Sequence, residues 1–195
     1  VASQETIDAI TAWIAGLRHI VLMQARRTGR PYPFGLRIPA NLGLLRAIGL
    51  DVERLAAEGL VDFLAVSNFM QTSYDMPHDE LRARIPAHVA IFGCTELQIN
   101  GSPGWAPGMA EPAPRLVSGH AAAVRGNAAG KLVLGADGME HYNYYWCRER
   151  SDFAHLADAG RLADLRGTEK QYALGVAGSR VRFAPFDQVE PLPVS

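Results

Sequence analysis

The sequence predicts an α/β fold made of four strand–helix units in series, and three observations predict it. Four apolar runs of strand length stand at 34–38, 61–66, 88–95 and 139–145. Segments with helical spacing separate them. Pro, Gly and Asp sit at the joints, where helices start and stop. Strands that alternate with helices need right-handed crossovers and hence a parallel sheet. Such a sheet is either a half-barrel or a small open doubly wound sheet. With 195 residues, 48% of them apolar, the chain suits one sizeable core, whereas a complete barrel needs about 250 residues.

The elements follow in order. Ile7, Ile10, Ile14, Leu17 and Val21 recur at steps of three and four, which makes one helical stripe with Ser3 as its N-cap. Arg26, Arg27 and Arg30 around Gly29 suit the negative end of that helix. Phe34 to Ile38, bracketed by Pro33 and Pro39, reads as the first strand. Asp51 caps a second helix whose Val52, Leu55 and Ala56 point inward, and Gly59 ends it. Val61 to Val66, apolar except for Asp62, fits a strand covered on both faces. Pro77 opens a short helix through Arg84, and Pro86 stops it before the third strand, His88 to Thr95. The Gly- and Pro-rich stretch 100–114, which holds Trp105, exceeds the usual length of such a loop and is expected to be functional. Arg115 to Lys131 reads as a small-residue helix with Leu116, Val124 and Ala128 inside, and Met139 to Tyr145 as the fourth strand. Phe153, Leu156, Leu162 and Leu165 suggest a helix broken near Gly160, followed by an extended proline-rich tail over 176–195.

Composition narrows the function. Nineteen basic against twenty acidic residues give a net charge of −1, so no global field draws the chain to nucleic acid. No continuous apolar run reaches the roughly 18 residues of a bilayer span, and the first thirty residues lack a signal-peptide pattern. The expectation is a soluble chain without a membrane partner, cytoplasmic or secreted. It opens without Met inside a helical pattern, which reads as a processed chain or a fragment. Cys94 and Cys147 read as buried thiols, since no paired His/Cys spacing suggests a metal. A Ser nucleophile elbow, a phosphate-binding glycine loop and a dinucleotide fingerprint are all missing, so no cofactor is expected.

In a parallel sheet, ligands bind at the carboxyl ends of the strands. The polar residues there are Arg37 and Asn41, Ser67 and Asn68, Thr95 and Glu96, then His141, Asn143 and Tyr145. Glu96 directly ends an apolar strand, where a carboxylate can act as nucleophile, base or acceptor for sugar hydroxyls. The competing reading pairs it with Arg37. Glycoside cleavage needs a second carboxylate. Asp75 and Glu140 are the candidates, although Asp75 can equally cap the following helix. Glu140 alternates with His141, so only one of the two faces a barrel interior. Asp137 precedes the fourth strand, at the opposite end, where a structural hydrogen bond is expected. Trp105 is the best platform for a sugar ring, while most of Tyr142, Tyr144, Tyr145 and Trp146 are expected in the core. His19, His78, His88, His120 and His155 carry no motif and read as surface or satisfied residues.

Two runs of short motifs carry a resemblance. Leu36-Arg37-Ile38-Pro39, then Ala47 to Val52, then Ala57-Glu58-Gly59-Leu60-Val61-Asp62-Phe63-Leu64 resemble bacterial glycoside-hydrolase-like (β/α)8-barrel proteins. Ala121-Ala122-Ala123, Gly135-Ala136-Asp137-Gly138 and Tyr142-Asn143-Tyr144 look like the last helix and strand of that family. The resemblance spans Ile7 to Tyr172. It implies that residues 1–175 are the C-terminal half of a barrel, with a C-terminal β-domain beyond the tail. It also implies a nucleophile at Glu96 and an acid/base Glu outside this chain. Arg37, Asn68, Trp105, His141, Asn143 and Tyr145 would contact carbohydrate. The open strand edges would meet the missing barrel half or a second copy. The rivals are a non-catalytic carbohydrate-binding or structural barrel, and a small-molecule enzyme on an open sheet using His141.

Overall fold

The computed structural model describes residues 1–67, 76–96, 98–99, 117–118, 121–142, 144 and 156–172, with backbone alone at 96, 98, 99, 117 and 118. The long helix α1, Gln4–Thr28, is capped by the Ser3 hydroxyl on the Thr6 amide and ends at Gly29 with φ 66°. Strand β1 is Gly35–Pro39. A helix that the sequence pattern does not announce, α2 at Leu42–Ala47, follows with Asn41 as its cap. Asn41 accepts from the Leu44 amide at 3.1 Å, so this residue spends its side chain on the backbone. Then come α3 (Val52–Ala57), β2 (Phe63–Ser67), α4 (His78–Arg84) and β3 (Ala90–Glu96). The short strands β4 (Gln98–Ile99) and β5 (Val117–Ser118) precede α5 (Ala121–Val133) and β6 (Gly138–Tyr142).

Three expectations need correction. The stretch expected to start the last long helix contains β5, paired antiparallel with β4. The β-branched Val117 suits that extended backbone. Residues 156–172 form turns rather than a broken helix, with Gly167 at φ 71°, yet Ala159 and Leu165 are fully buried against α5. The expected strand from Met139 to Tyr145 starts one residue earlier and ends at Tyr142.

β1, β2, β3 and β6 form one all-parallel sheet in the order β1-β2-β3-β6. The register matches Ile38 with Val66, Leu64 with Ile91, and Gly93 with Met139, so these residues share a face. That face meets the helices. Ile14 of α1, Leu45 of α2, Leu55 of α3 and Leu81 of α4 cluster with Ile38, Leu64, Val66 and Ile91. Val124 and Ala128 of α5 pack with Met139. Each buried aliphatic side chain contributes about 1.5–3 kcal/mol.

The strand entries repeat one device. Asp62 donates its backbone N–H to the Phe34 carbonyl, while its carboxylate accepts from the Phe34 amide at 2.7 Å and from Arg18 of α1 at 2.5 and 2.8 Å. Burial opposes ionisation of Asp62, but the Arg18 guanidinium and the Phe34 amide outweigh it and hold its carboxyl below the ordinary range. Asp137 makes the same pattern of hydrogen bonds at β6. Its N–H donates to the Ile91 carbonyl, and its carboxylate accepts from the Ile91 amide at 2.7 Å and from Arg82. This matches the structural role expected of Asp137. The residue after each Asp belongs to a glycine–phenylalanine pair across the strands, Phe63 with Gly35 and Gly138 with Phe92. A Cβ at Gly138 would stand 2.9 Å from the Phe92 ring.

Helix α1 is long and apolar enough to cross a membrane, with a mean hydropathy of 1.3 over 18 residues. Asp8 and Arg18 interrupt its apolar run. In this fold Arg18 pairs with Asp62, and Ile7 and Ile14 are buried.

Candidate functional site

The sheet face opposite the helices carries a polar cluster at the carboxyl ends of its strands. Alternation and register put Arg37, Ser67, Cys94, Glu140 and Tyr142 there, so all four strands contribute. Arg37 is the hub. Its Nη2 donates to Ser67 Oγ at 2.5 Å and lies 3.6 Å from Cys94 Sγ. Its Nε stands 3.7 Å from Glu140 Oε2, and its guanidinium lies 3.4 Å from the centroid of the Tyr142 ring. In a flat sheet β1 and β6 would be roughly 14 Å apart, three strand spacings. One arginine joins them, so the sheet curves toward this face.

Beneath the guanidinium, Ser67 and Cys94 are buried, while Phe63 and Phe92 meet edge to face at 5.6 Å nearer the strand entries. Burial pushes the Cys94 thiol above its ordinary range, which suits a packed thiol and not a poised nucleophile. Glu140 keeps about a third of its side chain exposed, although its Oε2 is buried and makes no hydrogen bond. Arg37 covers one side of the Tyr142 ring, which closes that side to a sugar.

His141 belongs to the other layer. It shares the helix-side face with Thr95, and its Nδ1 lies 2.6 Å from Thr95 Oγ1. Its ring meets Tyr144 edge-on at 5.3 Å. The alternation between Glu140 and His141 thus places Glu140 with Arg37 and directs His141 away from them. The backbone of Glu96 ends β3 opposite Tyr142, and its side chain lies outside the described residues. Asn68, Trp105, Asn143 and Tyr145 lie outside them as well, as do Asp75 and Cys147.

Two buried bases escape a reading of the sequence alone. Lys131 of α5 is fully buried, and its Nζ donates to the Cys94 carbonyl just past the last β2–β3 pair, Val66 with Gly93. Burial pulls its pKa down to about 7. His78 at the start of α4 is also fully buried, whereas a surface or satisfied residue was expected. Its Nδ1 is 3.3 Å from the Met76 carbonyl, and its Nε2 has no hydrogen-bond partner. Burial, reinforced by the charge of Lys131, brings His78 down to about 4. The one sequence signal for this burial is weak. Lys131 follows Asn127, Ala128, Ala129 and Gly130, a run of small residues that lets a helix approach the sheet closely.

Among the described residues no group of three His, Cys, Asp or Glu side chains could hold a metal ion. Comparison with models of known protein families and with curated proteins finds no match to this chain.

Proposed function

We propose that this chain is four consecutive units of a glycoside-hydrolase-like (β/α)8 barrel and that its polar face acts on carbohydrate. The observation that carries the reading is the Arg37–Glu140–Tyr142 cluster at the carboxyl end of a sheet whose helices cover the opposite face. An open doubly wound sheet reverses its strand order and carries helices on both faces. Here the order runs β1-β2-β3-β6 without reversal and the described helices pack on one face, which supports a barrel segment over an open doubly wound sheet. Guanidinium, carboxylate and hydroxyl groups grouped around an aromatic ring are the donors and acceptors that bind sugar hydroxyls. Glu96, at the end of β3, is the leading catalytic carboxylate on this reading, with Asn68, Trp105, Asn143 and Tyr145 as further substrate contacts. The edges of β1 and β6, which pair with no further strand among the described residues, then meet the other half of a barrel or a second copy of the chain.

The test is turnover of a panel of 4-nitrophenyl α- and β-hexosides, with binding of the parent sugars followed by calorimetry. The expected result is turnover that Glu96→Gln abolishes while sugar binding persists. Sugar binding without turnover, both in this chain and in a longer one carrying flanking sequence, would move the protein to a non-catalytic binding barrel. That second reading draws on the mutual neutralisation of Arg37 and Glu140, which suits recognition as well as catalysis. Neither binding nor turnover would end the carbohydrate reading.

A further inference from the structure

We infer that Glu140 is the second carboxylate of the site, so that the acid/base pair lies within this chain and is not split between two barrel halves. The inference rests on the carbohydrate-hydrolase reading above and adds a residue to it. Elimination comes first. Among the described side chains, every carboxylate other than Glu140, Asp62 and Asp137 lies on a helix, a cap, a turn or a loop and not on a strand of the sheet. Asp62 and Asp137 are used at the opposite ends of the strands. Among the described side chains, Glu140 is the carboxylate on the strand face that holds Arg37, Ser67 and Cys94.

Register supplies the spacing. Glu140 is paired with Cys94, and Glu96 stands two residues further along the neighbouring strand, opposite Tyr142. With strands about 4.8 Å apart and a rise of about 3.3 Å per residue, the two Cα atoms are roughly 8 Å apart. Carboxyl separations of about 5 Å for retention and about 6.5–9.5 Å for inversion are both within reach of two glutamates so placed. In the inverting case one carboxylic acid gives its proton to the leaving glycosidic oxygen as the bond from C1 to that oxygen breaks. The other carboxylate takes a proton from the water whose oxygen bonds to C1. The partly exposed side chain of Glu140 is open to substrate, while its Oε2 rests beside the Arg37 guanidinium.

The experiment compares wild type, Glu140→Gln, Glu140→Ala and Glu96→Gln on 4-nitrophenyl hexosides, with circular dichroism melting as the control for folding. Glu140→Gln is expected to lower kcat at least about a hundredfold with sugar binding retained. Sodium azide is expected to restore part of the turnover of Glu140→Ala, which loss of a merely structural ion pair would not allow. If Glu140→Gln keeps turnover close to wild type while Glu96→Gln loses it, Glu140 is not the second carboxylate and the hydrolase reading survives. Loss of activity in Glu140→Ala without azide rescue, together with a lowered melting temperature, likewise overturns the assignment. A wild type that turns over no hexoside sinks the hydrolase reading, and this inference falls with it.

Discussion

Replacing Lys131 with Met should stabilise this domain at neutral pH and remove most of the pH dependence of its stability above neutrality. In the unfolded chain the ammonium titrates at its ordinary 10.5, and in the fold at about 7. Between those values the unfolded state holds the extra proton, so stability rises with pH across that window. Below about pH 7 both states are protonated and the full penalty is present. Above about pH 10.5 both are neutral and it is gone. The whole interval corresponds to roughly 5 kcal/mol. From about pH 7 to about pH 8.5 the wild type should gain about 2 kcal/mol. Met fills a similar volume without the charge, but it leaves the Cys94 carbonyl without its Lys131 donor, which costs about 1–3 kcal/mol. The net expectation at neutral pH is a gain of a few kcal/mol, with a nearly flat pH profile in the variant. Urea unfolding followed by circular dichroism at several pH values measures both. A wild type whose stability does not change between those two pH values would refute the reasoning, because Lys131 would then be no harder to protonate in the fold than in the open chain.

On the acid side, His78 titrates at about 4 in the fold against 6.5 in the open chain. The unfolded state therefore binds the extra proton in that window, and stability should fall by about 3 kcal/mol as the pH drops from about 6.5 to about 4. His78→Leu should flatten that limb in the same urea series, and a His78→Leu profile that tracks the wild type across the window would count against it. Gly93→Ala should destabilise by about 1–3 kcal/mol through overpacking, because its Cβ would lie 2.8 Å from Lys131 Cδ and 3.1 Å from Met139 Sδ. The cost should shrink in a Lys131→Ala background. Equal costs in both backgrounds, read from denaturation midpoints, would show that the part of Lys131 beyond Cβ is not the obstacle.

The strands and the first helix were legible because their signals are local. Ser3 and Gly29 bound α1, and Asp51 caps α3, as their residue types and positions suggest. The parallel sheet followed from strands alternating with helices. α2 was missed because six residues with one buried leucine carry too little periodicity to register. β5 was read as helix because its two residues are defined only by a partner strand about twenty positions away. At the site, Arg37 and Ser67 were legible as candidates, since position after a strand is a sequence property. Their connection to Glu140 and Tyr142 depends on how far the sheet bends, which no local pattern encodes. The choice between Glu140 and His141 needed the register of β6 against β3. Lys131 was not singled out because lysine near a helix end is ordinarily solvated and only the fold reveals that this end is buried, and the burial of His78, read as a surface or satisfied residue, likewise depends on packing.

The two-rung ladder of β4 and β5 also bears on how the molecule assembles. β1, β2 and β3 are linked by short crossovers and can zip together one unit at a time, whereas β6 must return to β3 across the longest connection in the sheet. Pairing Gln98 with Ser118 and Ile99 with Val117 cinches the base of that excursion. Each halving of an open loop lowers the entropy cost of closure by about 0.6 kcal/mol. The ladder therefore brings α5 and β6 nearer to β3 before they dock, and insertions between residues 100 and 116 should slow folding far less than insertions of the same length on either side of the ladder.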